Sequence, residues 1–354
     1  MNIDCLIIGQ GICGTFLAHE FAKAGLSFLV IDDPANVGAS RLAAGIINPI
    51  TGRRLVRTWM INELFPFAMQ AYQEIGRILN INCIKKTTLV DFFPSVQMRL
   101  AFLKRHQEEA GELLLPENEN QWSPYFNYEL GFGEIRPCAL VDLNLLLPAY
   151  RKKLSTTGLL LEEKMLIEAL IVEKDFVQYK DVKAQKVIFC DGAAGFLNPY
   201  FSKLPFAPNK GEALIISIEG LPSAGIFKKG MSLVPWKENL YWLGSSYEWQ
   251  FNDPDPSPLF RERAEILLKQ WIKLPFQILD HISSVRPATL ERRPFVGFHP
   301  LYNALGILNG MGTKGCSLAP YFAAQLRSNL ISGTPITVEA DISRYGRILG
   351  KYTG

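Results

Sequence analysis

The stretch DCLIIGQGICGTFLAHEFAKAGLSFLVIDD, residues 4–33, decides the fold. Its opening DCLIIGQG is a short apolar run ending in glycine, the pattern of a strand buried on both faces of a parallel sheet. Thr15 to Lys23 then show helical spacing, with Phe16, Leu17, His19 and Phe21 on mixed faces, and Gly25 stops the helix. LSFLVIDD is a second buried strand that ends at Asp32 and Asp33. Strand, glycine turn, helix and strand within about 30 residues make one βαβ unit.

The turn reads Gly9-x-Gly11-x-x-Gly14. Gly9 permits the tight turn, Gly11 lets the backbone approach a pyrophosphate, and Gly14 lets helix and strand pack closely. The helix N-terminus adds free N–H groups and a partial positive charge. Asp32 follows Gly14 by 18 residues, close to the spacing of a carboxylate that binds a ribose hydroxyl. These features predict dinucleotide binding. The motif alone does not choose between NAD and FAD, although its place at residue 9 favours FAD.

Working outward, 354 residues suffice for two interleaved domains. A hydrophobic share of 48% with 20% charged residues is that of a globular chain. The net charge of +3 neither argues for a nucleic-acid partner nor excludes one. No apolar run approaches the roughly 18 residues of a membrane span, and the start MNIDCLIIGQG does not read as a signal peptide. Cys5, Cys13, Cys83, Cys138, Cys190 and Cys316 show no paired spacing; Cys5, Cys13 and Cys190 read as core, and a reducing, cytoplasmic setting is expected. Four scattered histidines without a Cys-x-x-Cys give no metal constellation.

Further along, a helix is predicted over Glu63 to Leu79 and a strand in TTLVDFF (87–93). ALVDLNLLLPAYRKKLSTTG (139–158) starts as a short apolar run and continues as a helix ended by Gly158. MLIEALIV and AQKVIFCDGAAG read as further strands, the second ending in a glycine turn. From Lys210 to Tyr247 the texture changes: GEALIISIEG and NLYWLGSSY are rich in β-branched or aromatic residues, with PWKEN as a polar turn. NDPDPSPL is a proline-rich loop feeding the helix FRERAEILLKQWI. The expected fold is therefore α/β, or α+β overall: a Rossmann-like dinucleotide-binding domain over 1–82, 140–204 and 282–354, with an inserted β-rich substrate domain over 83–139 and 205–281.

Four stretches carry a resemblance in the correct order along nearly the whole chain: ASRLAAGIINP (39–49), GFGEIRPCALVDLNLLLPAY, SSVRPATLERRPFVG (283–297) and GILNGMGTKGCSLAPYFAAQLRSNLISG (306–333). With the glycine fingerprint they resemble the D-amino-acid oxidase/glycine oxidase/sarcosine oxidase (DAO) family of FAD-dependent amine oxidoreductases. LGSSYEWQFNDPDPSP, VRPATLERRPFVG and GMGTKG look most similar to the FAD oxidase domain of the bifunctional tRNA-uridine-modifying enzymes, which handle 5-carboxymethylaminomethyluridine. The methyltransferase half of those fusions has no counterpart here.

The resemblance implies a set of FAD contacts. Gly9, Gly11 and Gly14 would meet the pyrophosphate and Asp32 the adenosine ribose. Ser40, Arg41, Ala44 and Gly45 would line the pyrophosphate and flavin, Ile167 would present its backbone to the adenine, and Gly192 would pass the pyrophosphate. The loop GMGTKGCSLAP (310–320) would follow the flavin's pyrimidine edge from Gly312, with backbone N–H groups of Thr313, Lys314, Gly315 and Cys316 aimed at O2 and N1. A helix starting near Leu318, with Pro320 in its first turn, would add its positive end, where reduced flavin gains negative charge. Two glycine loops at opposite ends of the chain then imply one extended dinucleotide between them, which favours FAD over NAD.

The chemistry implied is oxidation of a carbon–nitrogen bond: a hydride equivalent passes from the carbon beside the amine to flavin N5, and the imine hydrolyses. Arg286, in SSVRP, corresponds to the arginine that grips the substrate carboxylate through two parallel hydrogen bonds. Tyr247, in GSSYEW, would bring its hydroxyl to carboxylate or amine, and Lys314 is a third candidate at the reacting end. Some members place a lysine over the flavin to help oxygen react; the corresponding position here is Trp242, which leaves O₂ and other electron acceptors both open. Cys316 does not match the cysteine that holds FAD covalently in sarcosine oxidases, so non-covalent FAD is expected. Arg53, Arg54 and Arg57 form a basic cluster that would suit tRNA phosphates or a solvated face. The expected partner is a small amine or amino acid. A tRNA oxidase acting on the carboxymethylaminomethyl group, and a flavin-binding protein without turnover, are the alternatives. The sequence carries no signal for oligomeric state.

Overall fold

A computed structural model describes residues 1–52, 54–108 and 111–350. The βαβ unit forms as the pattern requires. Strand Asn2–Ile8 leads into helix Ile12–Ala24 and returns as Phe28–Ile31, the two strands parallel and in register from Cys5↔Phe28 to Ile8↔Ile31. Cys5–Ile8 and Phe28–Ile31 are buried throughout, which a short all-apolar run allows. Val182–Phe189 pairs in parallel on the other side of Asn2–Ile8 and carries Leu305–Asn309 beyond its C-terminal half. Among the described residues the first sheet has eight strands.

Helices Ile12–Ala24, Ile61–Leu79, Leu143–Thr156 and Gly315–Ser332 cover one face, where Phe16, Leu64, Tyr72, Leu147 and Phe322 share one core. Phe189, Phe201 and Phe295 lie in the core on the opposite face. In Leu143–Thr156 the cap is made by the sequence itself, the Asp142 carboxylate accepting from Leu145 N.

Among the described residues the second sheet has nine strands, ordered Phe276–Arg286, Asn209–Ile218, Leu240–Gly244, Met231–Lys237, Ile226–Lys229, Ile84–Phe92, Phe132–Val141 and Ile46–Ile47, with Leu113–Leu114 pairing on Phe132–Val141. An aromatic cluster of Phe92, Trp122, Phe126, Phe227 and Trp271 ties it to helix Pro258–Trp271. That helix begins at a Ser257 cap with proline in its first turn, as the proline-rich loop suggested.

Four sequence expectations shift. The strand Phe276–Arg286, which runs across the boundary expected near Ile282, stays in the second sheet to its end, with Arg286 paired with Asn209; Pro287, which has no N–H, follows the last rung. MLIEALIV is a short 3₁₀ turn, Ile167–Ala169, before the strand Leu170–Val172. Pro235 and Trp236 of PWKEN belong to the strand Met231–Lys237, and the turn falls after it. The helix placed near Leu318 starts at Gly315, so Pro320 lies inside it rather than in its first turn.

Candidate active site

Gly9 has φ +98°, and a side chain there would stand 2.6 Å from the Cys190 carbonyl at the end of the neighbouring strand. A Cβ on Gly14 would lie 1.8 Å from the Gly9 carbonyl, so helix Ile12–Ala24 rests directly on the turn. Gly14 therefore acts by packing and does not line the cleft. Gly11 is the helix N-cap and supplies no side-chain cap, which leaves the first N–H groups to outside partners. Ser40 Oγ accepts from Ile12 N at 3.2 Å. Asp32 accepts from Gln10 N at 2.7 Å, is ion-paired with Arg151, and has Arg41 Nη2 at 3.5 Å. Arg151 and Gln10 were not singled out from sequence; Arg151 arrives from a helix more than a hundred residues away.

The second glycine loop opens a second uncapped helix, Gly315–Ser332, whose N-cap is Lys314. Pro320 cannot donate to the Cys316 carbonyl four residues earlier. Tyr72 does so instead, its hydroxyl 3.0 Å from that oxygen. Lys314 departs from expectation: it is absent from the lining of the cleft, and its ammonium donates to Thr58 Oγ1 at 3.1 Å. Burial and the nearby Arg292 lower it to about 8. Its backbone holds the N-cap position while its side chain is drawn away to the 48–58 loop.

Between the two sheets runs a cleft of about 2230 Å³. Gly9, Gly11, Asp32, Ser40 and Arg41 line one part of it, with Ala44 and Gly45 beside them. Gly312, Thr313, Gly315 and Cys316 border the same cleft, and Ile167 lines it along with Gly192. Asn309 Nδ2 donates to Asp191 Oδ1 and to the Gly192 carbonyl, both at 2.9 Å, fixing the turn after strand Val182–Phe189. Burial pushes the Asp191 carboxyl up to about 6.

On the second sheet Arg286 is held by neutral oxygens. Its Nη1 donates to Asn209 Oδ1 at 2.6 Å and to the Ser246 carbonyl at 3.1 Å. Its guanidinium lies over Gly211, where a Cβ would stand 1.7 Å from Nη2. Burial lowers its pKa, and among the described residues no carboxylate is ion-paired with it. Tyr247 is 60% exposed, and its ring lies 4.8 Å from the Arg286 guanidinium carbon. Trp242 is buried and donates from Nε1 to the Leu42 carbonyl at 3.0 Å, stitching the second sheet to the segment that carries Ser40 and Arg41.

The model of the DAO family, FAD dependent oxidoreductase, matches residues 4–328. The chain belongs to the DAO family. A glycine oxidase of Pseudomonas aeruginosa is 23% identical over 378 residues, covering 98% of this chain and 100% of that protein. Among solved structures, L-proline dehydrogenase from P. horikoshii superposes with a TM-score of 0.78 at 18% identity, covering 98% of each chain. Glycine oxidase from Bacillus cereus gives 0.77 at 16%, covering 94% of this chain and 96% of that one.

The residues present fit the FAD of a DAO family enzyme. Two helix N-termini whose N-cap residues make no side-chain cap face one cleft, side by side. The cleft exceeds the roughly 300–1,000 Å³ of ordinary small-ligand pockets. The sequence reading missed Asn209 and Gly211, although a lone glycine in the strand pattern NKGEALIISI is a signal of close approach. It also missed the buried carboxylate of Glu212, on the strand Asn209–Ile218, which accepts from Ser257 N at 2.6 Å and from Ser257 Oγ at 2.8 Å and so ties down the loop carrying Ser246 and Tyr247. Nothing local in the sequence announces that contact. Of the basic cluster, Arg57 is engaged by Glu112 and Asn62, while Arg53 lies outside the described residues.

Proposed function

We propose that this DAO family protein oxidises the carbon–nitrogen bond of a small amino acid or secondary amine whose carboxylate is held by Arg286. The observation that carries the reading is the state of Arg286. A half-buried guanidinium without a protein counter-ion is costly, and neutral acceptors hold it in one orientation at the edge of the cleft. A substrate carboxylate supplies the missing charge through paired N–H···O bonds. The names of the similar proteins, glycine oxidase and L-proline dehydrogenase, agree with a small amino-carboxylate.

Bound FAD supplies the two-electron acceptor. The chain's own contribution is to fix the carboxylate at Arg286, to close the other side with the Tyr247 ring, and to offer the open N-terminus of Gly315–Ser332 to developing negative charge. The substrate amine loses two electrons and one proton as a hydride equivalent to become an iminium; water then adds at that carbon and the C–N bond breaks, leaving a carbonyl and the free amine or ammonia. Non-covalent FAD is part of this reading: burial pushes the Cys316 thiol up to about 12, so it is not a thiolate at neutral pH. Acid precipitation should leave the yellow colour in solution.

The test is anaerobic addition of glycine, sarcosine and proline to the purified flavoprotein. Bleaching of the flavin by at least one of them, with a KM that rises steeply in Arg286→Ala, is the expected result. An unchanged KM in that variant refutes the carboxylate role.

A further inference from the structure

The floor of the cleft continues away from Arg286 along one row of the second sheet. Ala213 pairs with Gly244, Gly244 with Ser232, Ser232 with Lys228 and Lys228 with Asp91. Cross-strand partners project to the same face, and all five residues line the cleft. The middle of the row is alanine, glycine and serine, so it forms a low floor with no large side chain standing in the way. The edge of the Trp242 indole lies beside Gly244, 2.7 Å from where a Cβ would sit, and adds a flat apolar stretch.

The row ends in a charged pair. Lys228 Nζ donates to Asp91 Oδ2 at 2.8 Å, with the Lys228 side chain 25% exposed and that of Asp91 3%. An ammonium has three N–H donors; one is used on Asp91, its one partner among the described residues. Buried Asp91 fixes the lysine over the floor and leaves its other donors to the cleft. The Arg286 guanidinium sits over Gly211, three ladder steps of about 4.8 Å from the Lys228 strand and two residues of about 3.3 Å along its own strand from the row, or about 16 Å in all. Glycine is far too short to meet both.

We propose that Lys228, oriented by Asp91, forms a second polar subsite, so that beside small amino acids, which reach Arg286 alone, the site takes extended ones with an anionic group roughly 10–14 Å from the carboxylate held by Arg286. The proposal rests on the Arg286 reading of the preceding section for one end of the substrate and on the Lys228–Asp91 pair for the other.

Isothermal titration of the purified flavoprotein with decanoate and with decanedioate, which differ in one terminal carboxylate, tests it without turnover. The wild type should bind decanedioate roughly ten- to a hundredfold more tightly, the range for one added charge-assisted hydrogen bond. Lys228→Gln should abolish that preference and leave decanoate affinity within about twofold. Asp91→Asn, which removes the carboxylate that orients the lysine, should narrow the preference without abolishing it, a smaller change than that of Lys228→Gln. Equal affinities in the wild type, or a Lys228→Gln effect of the same size on both ligands, overturns the subsite. If Arg286→Ala weakens both ligands while Lys228→Gln changes neither, the subsite fails and the Arg286 reading stands. If Lys228-dependent decanedioate binding survives Arg286→Ala undiminished, the Arg286 reading fails and the subsite stands. No binding of decanedioate at all removes both.

Discussion

Gly211→Ala is the sharpest perturbation of the proposed carboxylate grip, because it alters a residue assigned no contact of its own with the substrate. Gly211 sits inside the strand Asn209–Ile218, where alanine adopts the same extended backbone. Its new Cβ would stand 1.7 Å from Arg286 Nη2 and 2.0 Å from Cζ. Non-bonded contacts settle near 3.5–4.0 Å, so the guanidinium must retreat by roughly 1.5–2 Å. It can, being the end of a flexible side chain, and the fold survives. The retreat breaks the 2.6 Å bond to Asn209 and the 3.1 Å bond to the Ser246 carbonyl and misaligns the fork that would receive a carboxylate. Hydrogen bonds to charged groups contribute about 1.5–3 kcal/mol each, and loss of one such bond, at about 2 kcal/mol, corresponds to roughly thirtyfold in Kd. The assay is titration of flavin absorbance with a non-reducible carboxylate, alongside flavin content and melting temperature. Flavin content should hold and the carboxylate Kd should weaken at least thirtyfold, approaching that of Arg286→Ala. A wild-type Kd at full flavin content would show that Arg286, as seated here, is not the carboxylate grip.

Gly14→Ala places a Cβ 1.8 Å from the Gly9 carbonyl, a backbone atom that cannot swing aside; overpacking of this kind costs about 1–3 kcal/mol or more, and both flavin content and melting temperature should fall. Tyr72→Phe leaves the Cys316 carbonyl unbonded beneath Pro320, so chemical denaturation should show a loss of about 1–3 kcal/mol together with weaker flavin retention. Asp191 carries a pH signature. Its carboxyl is raised from 3.8 to about 6 in the fold, so stability is greatest below 3.8 for this group and is lost as pH rises through about 6. Asp191→Asn removes that titration; its melting temperature relative to wild type should climb between pH 4 and pH 6 and stay level above, and a pH-independent difference would contradict the assignment.

The first glycine turn, its helix and the second strand were legible because each rests on local chemistry. An all-apolar run, glycines at fixed offsets and a carboxylate 18 residues on can only be satisfied by a strand, a tight turn and a helix within one short segment. The second loop's position at the cleft was also legible, through its likeness to the family's pattern. The start of its helix was not: proline favoured a first-turn place, and only the Tyr72 hydroxyl, contributed by another helix, lets it sit deeper.

Tertiary structure alone decided which side chains face the cleft. Lys314 shares the loop with Thr313 and Gly315 yet turns its ammonium to Thr58, because a half-buried amine follows the nearest acceptor rather than its sequence neighbours. Arg286 is one arginine among many in the sequence. Its distinction, a guanidinium over Gly211 with neutral acceptors and no carboxylate, arises from two strands that meet only in the second sheet. The row from Ala213 to Asp91 is likewise assembled from five strands spread over more than 150 residues, joined only by register. Local spacing thus determined the cofactor half of this protein, since backbone N–H groups and glycines act where they stand in the chain. The proposed substrate side was left to sheet pairing, since long side chains act where their partners are.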